Sequence, residues 1–85
     1  MEKLKMEVSR LHKLDGEGAI KAFCDINLLD SFVIKGLKVV EGKEGLFVGM
    51  PSEPGKDGKW YNTFMPLNKE VRETLDRVVL EAYAG

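Results

Sequence analysis

Eighty-five residues, 44% hydrophobic and 32% charged, make one soluble globular domain spanning 1–85 and exclude a disordered chain. A net charge of −1 excludes a dominant basic field. A single cysteine, Cys24, excludes an internal disulfide, and with the single histidine, His12, it falls short of the ligand set of a zinc site.

The chain opens on Met1-Glu2-Lys3-Leu4-Lys5, a charged start without the apolar core of a signal peptide, and residues 1–4 are read as an N-terminal tail. With no run of about 18 apolar residues anywhere, no transmembrane helix is expected and a cytoplasmic location follows. The first predicted strand runs from about Lys5 to Leu14, where Met6 and Val8 alternate with charged neighbours. Leu11 and Leu14 break that phase, which predicts a bulge or a change of buried face. Asp15-Gly16-Glu17-Gly18 is a hairpin turn signal. The second strand, Ala19 to Leu28, alternates most clearly. Ile20, Ala22, Cys24, Ile26 and Leu28 point one way, and Ala19, Lys21, Phe23, Asp25 and Asn27 the other.

Leu29-Asp30-Ser31 connects to a third strand, Phe32 to Glu41, in which Gly36 predicts a bulge or a close backbone approach. Gly42 and Gly45 frame a tight turn into a fourth strand, Leu46 to Met50, ended by Pro51. Its unbroken apolar run predicts burial on both faces, beneath a helix or against a second subunit. Residues 52–59, rich in Gly, Pro and charge, are expected to form a mobile irregular loop. Trp60 to Met65 resumes an extended path up to Pro66. Asn68 is a good N-cap, and the helix spans 68–84 with its cap. Val71, Leu75, Val78, Val79, Ala82 and Tyr83 form its apolar stripe. Strands followed by one helix define an α+β domain, a small antiparallel sheet of about five strands with a C-terminal helix.

Chemistry is sparse. Glu70, Glu73 and Asp76 lie one turn apart beside Arg72 and Arg77, a pattern that helical ion pairing explains. Gly42 and Gly45 join two strands, whereas a phosphate-binding glycine fingerprint joins a strand to a helix. No serine or cysteine has a histidine partner beyond His12, so no catalytic constellation, cofactor or metal is expected. Trp60 and Tyr61 follow Lys56 and Lys59, and exposed aromatics beside lysines suit single-stranded bases and phosphates. The alternative is that Trp60, with Phe64 and Phe47, anchors the loop or a subunit interface. Lys35, Lys38 and Lys43 extend a weak basic face or are simply solvated.

The stretch Gly45-Leu46-Phe47-Val48-Gly49-Met50-Pro51-Ser52 resembles the G-L-F-V-x-M-P-S signature of the stage V sporulation protein G (SpoVG) family, small bacterial proteins regarded as nucleic-acid-binding regulators. Asp57-Gly58 before a short strand, then Pro66 and a capped helix ending in Glu81-Ala82-Tyr83, extend the resemblance from about Met6 through Tyr83. It implies a homodimer, a regulatory role in septation or sporulation, and site-selective DNA or RNA binding without catalysis. Two positions depart from the family pattern. Glu53-Pro54 stands where many members carry a basic pair, and Met65 where members often carry histidine. The expected nucleic-acid contacts are Lys56, Lys59, Trp60, Lys69 and Arg72, with fewer phosphate contacts than a basic pair would give. The competing expectation is a protein-interaction module of the division machinery.

Overall fold

The computed structural model describes residues 5–85. Four strands form one antiparallel meander in chain order: β1 (Met6–Lys13), β2 (Ile20–Leu28), β3 (Phe32–Gly42) and β4 (Gly45–Gly49). Two short strands, β5 (Ser52–Pro54) and β6 (Trp60–Asn62), make a separate hairpin, and α1 (Lys69–Ala84) closes the chain. This is the expected α+β architecture, with six strands in two sheets in place of about five.

Period-two alternation puts Ala22, Cys24 and Ile26 on the inner face of β2, each at most 2% exposed. Cys24 is a core hydrophobe, and burial pushes its thiol pKa up to about 11, so it stays protonated at neutral pH. Leu37 and Val39 of β3, Val48 of β4, and Leu75 and Val79 of α1 complete the same cluster. α1 therefore covers one face of the sheet.

The predicted irregularities are real and occur where the sequence breaks phase. Pairing of β1 with β2 slips between Val8 and Arg10, which returns Leu11 to the buried side. Pairing of β2 with β3 slips between Cys24 and Ile26, opposite Gly36, whose φ is 91°. A Cβ on Gly36 would sit 3.7 Å from the Pro51 Cβ, an ordinary contact, so of the two readings it is the bulge that the structure shows. Leu29 and Asp30 take φ values of 58° and 52° and turn the chain back into β3 without glycine. Ser31 N–H donates to the Leu28 carbonyl at 3.0 Å, and Lys5 Nζ holds Asp30 at 2.5 Å.

Two expectations need correction. β4 is an edge strand of the sheet and is covered on one side only; Val48 is buried, whereas Leu46 and Phe47 are 41% and 47% exposed. One helix cannot cover both faces, so a continuous apolar run here does not mean two-sided burial within the protomer. Residues 52–59 are not one irregular loop. Ser52, Glu53 and Pro54 pair with Asn62, Tyr61 and Trp60.

α1 begins where the cap predicts. Asn68 Oδ1 accepts from Val71 N–H at 2.9 Å, and Gly85 N–H donates to the Glu81 carbonyl at 3.1 Å. The stripe shifts at its C-terminal end: Ala82 is exposed, and Leu80 packs against the core instead. Tyr83 lies under Lys13, whose Nζ is 5.1 Å from the ring centroid.

Candidate nucleic-acid interface

The β5–β6 hairpin is built by Asp57, Gly58 and Tyr61. Gly55 N–H donates to the Lys59 carbonyl at 2.7 Å, and Gly58 N–H to the Gly55 carbonyl at 3.1 Å. Gly58 has φ 82°, which a side chain would strain. Asp57 Oδ1 accepts from Lys59 N–H at 3.0 Å, and the other carboxylate oxygen accepts from the Tyr61 hydroxyl. The base of the hairpin is tied to the main body by Thr63 N–H donating to the Pro51 carbonyl at 2.8 Å.

These bonds shift two pKa values. The Tyr61 hydroxyl, then the Lys59 amide, hold the Asp57 carboxyl below its ordinary 3.8. The same carboxylate raises Tyr61 above its ordinary 10.0. Because the folded Asp57 value is depressed, its stabilising contribution is complete above pH 3.8 and is lost as pH falls through the lower value. Tyr61 contributes below pH 10.0 and loses that contribution as pH rises through its raised value. The hairpin is therefore tightest between those limits. An NMR titration is expected to place the Asp57 midpoint below that of a free aspartate, and Tyr61→Phe should move it back upward; an unmoved midpoint would mean that the hydroxyl is not its main partner.

This scaffold holds Trp60 out in solvent at 67% exposure, with Tyr61 at 51%. Trp60 does not anchor the protomer's core. Lys56 and Lys59 are exposed on the same turn, and among the described residues neither takes part in an ion pair. Lys69 opens α1 with its side chain 89% exposed, 3.8 Å from Glu73. Arg72 is differently placed. Its Nη2 donates to the Val48 carbonyl at 3.0 Å and its Nε to Asp76 at 3.1 Å. Its charge is largely spent on fastening α1 to β4.

A groove of about 400 Å³ separates the hairpin base from the start of α1, lined by Met50, Asn62, Met65, Leu67, Lys69 and Arg72 among others. Lys69 and Arg72 thus line one groove, while Lys56, Lys59 and Trp60 are exposed on the hairpin and do not line it. The five expected residues therefore divide between the groove and the hairpin. The Asp57–Tyr61 tie escaped the sequence reading; its only signal was Asp-Gly followed by an aromatic within a short polar stretch. The described residues contain no group of three or more His, Cys, Asp or Glu that would hold a metal ion, and no helix long and apolar enough to cross a membrane.

Comparison with known proteins agrees with this architecture. The SpoVG family model matches residues 1–85. The chain is 45% identical over 74 residues to a relative from Archaeoglobus fulgidus, covering 87% of each chain. It is 40% identical to one from Lachnospira eligens, over 87% of this chain and 84% of the relative. A third, from Staphylococcus saprophyticus, is 39% identical over 94% of this chain and 79% of its own length. All three carry the name "Putative septation protein SpoVG". The match runs through both sheets and the helix, and the chain belongs to the SpoVG family.

Proposed function

We propose that this protein is a non-catalytic, cytoplasmic regulator of septation that binds DNA or RNA as a homodimer. The observation that carries the reading is a well-tied hairpin that presents an exposed Trp60 next to Lys59, with Lys56 on the same turn, neither lysine being in an ion pair among the described residues. An aromatic face stacks on unpaired bases while the lysines neutralise phosphates. Lys69 at the start of α1 adds a cation, and Glu53 on the opposite strand of the hairpin subtracts one. The site is weak by itself, and two copies related by two-fold symmetry would raise affinity through effective concentration.

Lys56→Ala with Lys59→Ala is expected to weaken binding about equally for all sequences and to flatten its salt dependence by up to about two released counterions. Fluorescence anisotropy of labelled oligomers at two salt concentrations reads both. Unchanged affinity would remove the hairpin from the site.

A second reading has its own observation. Leu67 and Met65 are 96% and 54% exposed beside the groove at the start of α1, apolar surface that suits a protein partner of the division machinery. It predicts no nucleic-acid binding at low salt.

A further inference from the structure

The sheet face turned away from α1 carries two adjacent rows of side chains set by the strand register. His12, Phe23, Lys38 and Gly49 are partners across β1, β2, β3 and β4. In the next row, two residues on along β3, Ile20, Val40 and Phe47 are partners. Phe23 and Phe47 are 40% and 47% exposed, so neither ring is used up in packing. A Cβ on Gly49 would lie 3.6 Å from Val40 Cγ2 and 3.8 Å from Lys38 Cβ, which leaves a shallow floor beside those two side chains. The Phe47 ring lies over Gly42, where an added Cβ would be 3.0 Å from ring Cε1. Strand spacing puts the two phenylalanines about 12 Å apart, with Lys38 between them.

No carboxylate stands in these two rows. Asp25 and Glu7 belong to the same face: Asp25, two residues from Phe23 on β2, pairs with Arg10 in the row next to Phe23, and Glu7 lies opposite Asn27 one row further along. Lys38 and Lys35 are in no ion pair among the described residues. Within the two rows themselves Lys38 has no compensating acid, and Asp25 in the next row already faces Arg10 across the strand pair, so the cation is left for a partner that brings negative charge. A phosphate backbone supplies that compensation.

The geometry points to a second binding surface, resting on the nucleic-acid reading above: the open face of the four-stranded sheet is a platform for single-stranded nucleic acid. Bases stack on Phe23 and Phe47, and Lys38 contacts the phosphate between them. Duplexes hide the faces of their bases from such a platform, so it discriminates single strands from double strands. The hairpin lysines, by contrast, touch phosphates in either form.

The test compares wild type with Phe23→Leu/Phe47→Leu and with Lys38→Ala, using labelled single-stranded DNA and RNA and the matching duplex. Leucine keeps apolar volume on the face while removing the aromatic surface, and thermal unfolding checks that each variant folds. The expected result is single-strand affinity weakened at least about tenfold in the double variant, with duplex affinity unchanged. Unchanged single-strand affinity, alongside a loss in the Lys56/Lys59 variant, would overturn the platform and leave the hairpin site standing. No binding of any nucleic acid by wild type would overturn both. Conversion of a wild-type dimer to a monomer by the leucine variants, read by light scattering, would show that the face joins two copies and overturn the platform.

Discussion

Leu75→Ala is expected to destabilise the protein by about 3 kcal/mol, within the ~2–5 kcal/mol range for emptying a fully buried leucine site. Leu75 is 1% exposed, one of only two helix residues counted in the core, the other being Val79. Their partners are the inner faces of β2, β3 and β4. The cost combines lost transfer energy with a cavity that a short sheet and a single helix cannot readily close. A domain of this size has only about 5–15 kcal/mol to lose, so the effect is a large fraction of the total. Thermal unfolding followed by circular dichroism should show a midpoint lower by about 12–24 °C. A fall of under about 5 °C would mean that Arg72, through Val48 and Asp76, holds the helix more firmly than the apolar stripe does. Arg72 lies half-exposed, which makes the stripe the stronger tie.

The contrast between Leu75 and Arg72 shows what the sequence could and could not reveal. A stripe at helical spacing is local information, and so is a cap such as Asn68; the cap lies where it was expected, and so does the stripe up to Val79, beyond which Leu80 replaces Ala82. The alternation of β2 is local too, and Ala22, Cys24 and Ile26 are buried as expected; Ile20, expected on the same face, is turned to the other side by the slip before Ala22 and pairs with Val40. Arg72 is another matter, because its partner Val48 is 24 residues away and a backbone carbonyl has no sequence signature. β5 was invisible for a related reason. Ser-Glu-Pro has no strand propensity, and it is strand only because Trp60–Asn62 lies opposite and Asp57 fixes the turn between them. The αL turn at Leu29 and Asp30 carries no Gly or Asn to announce it; Lys5 and Asn27 hold Asp30 from outside. The candidate site divides in the same way. Exposed lysines next to a tryptophan can be read from composition, whereas the rows on the open face depend on a register displaced by three slips along two strand pairs.

One of those slips can be tested directly, and its expected effect is the second large one. Gly36 sits at φ 91° where β3 passes Pro51. The space there would admit a methyl group, since the nearest atom to an added Cβ is 3.7 Å away. Any cost of Gly36→Ala therefore comes from the backbone, about 1–3 kcal/mol for a non-glycine residue held at positive φ. Gly18→Ala is the control, because Gly18 has neither a positive φ nor any atom within 4 Å of an added Cβ. There the change should be neutral or stabilising by up to about 1 kcal/mol, through the unfolded chain alone. Gly36→Asn should cost less than Gly36→Ala, since asparagine tolerates the left-handed region better. The order expected in chemical denaturation is Gly18→Ala at or above wild type, then Gly36→Asn, then Gly36→Ala. An alanine at 36 as stable as wild type would mean that β3 does not need the bulge. The bulge matters beyond stability because it sets the phase of everything after it on β3. With it, Leu37 and Val39 face the helix while Lys38 and Val40 face outward; a slip of one residue would exchange those pairs. Core and open face depend on the same glycine, so a Gly36 variant that folds must keep both.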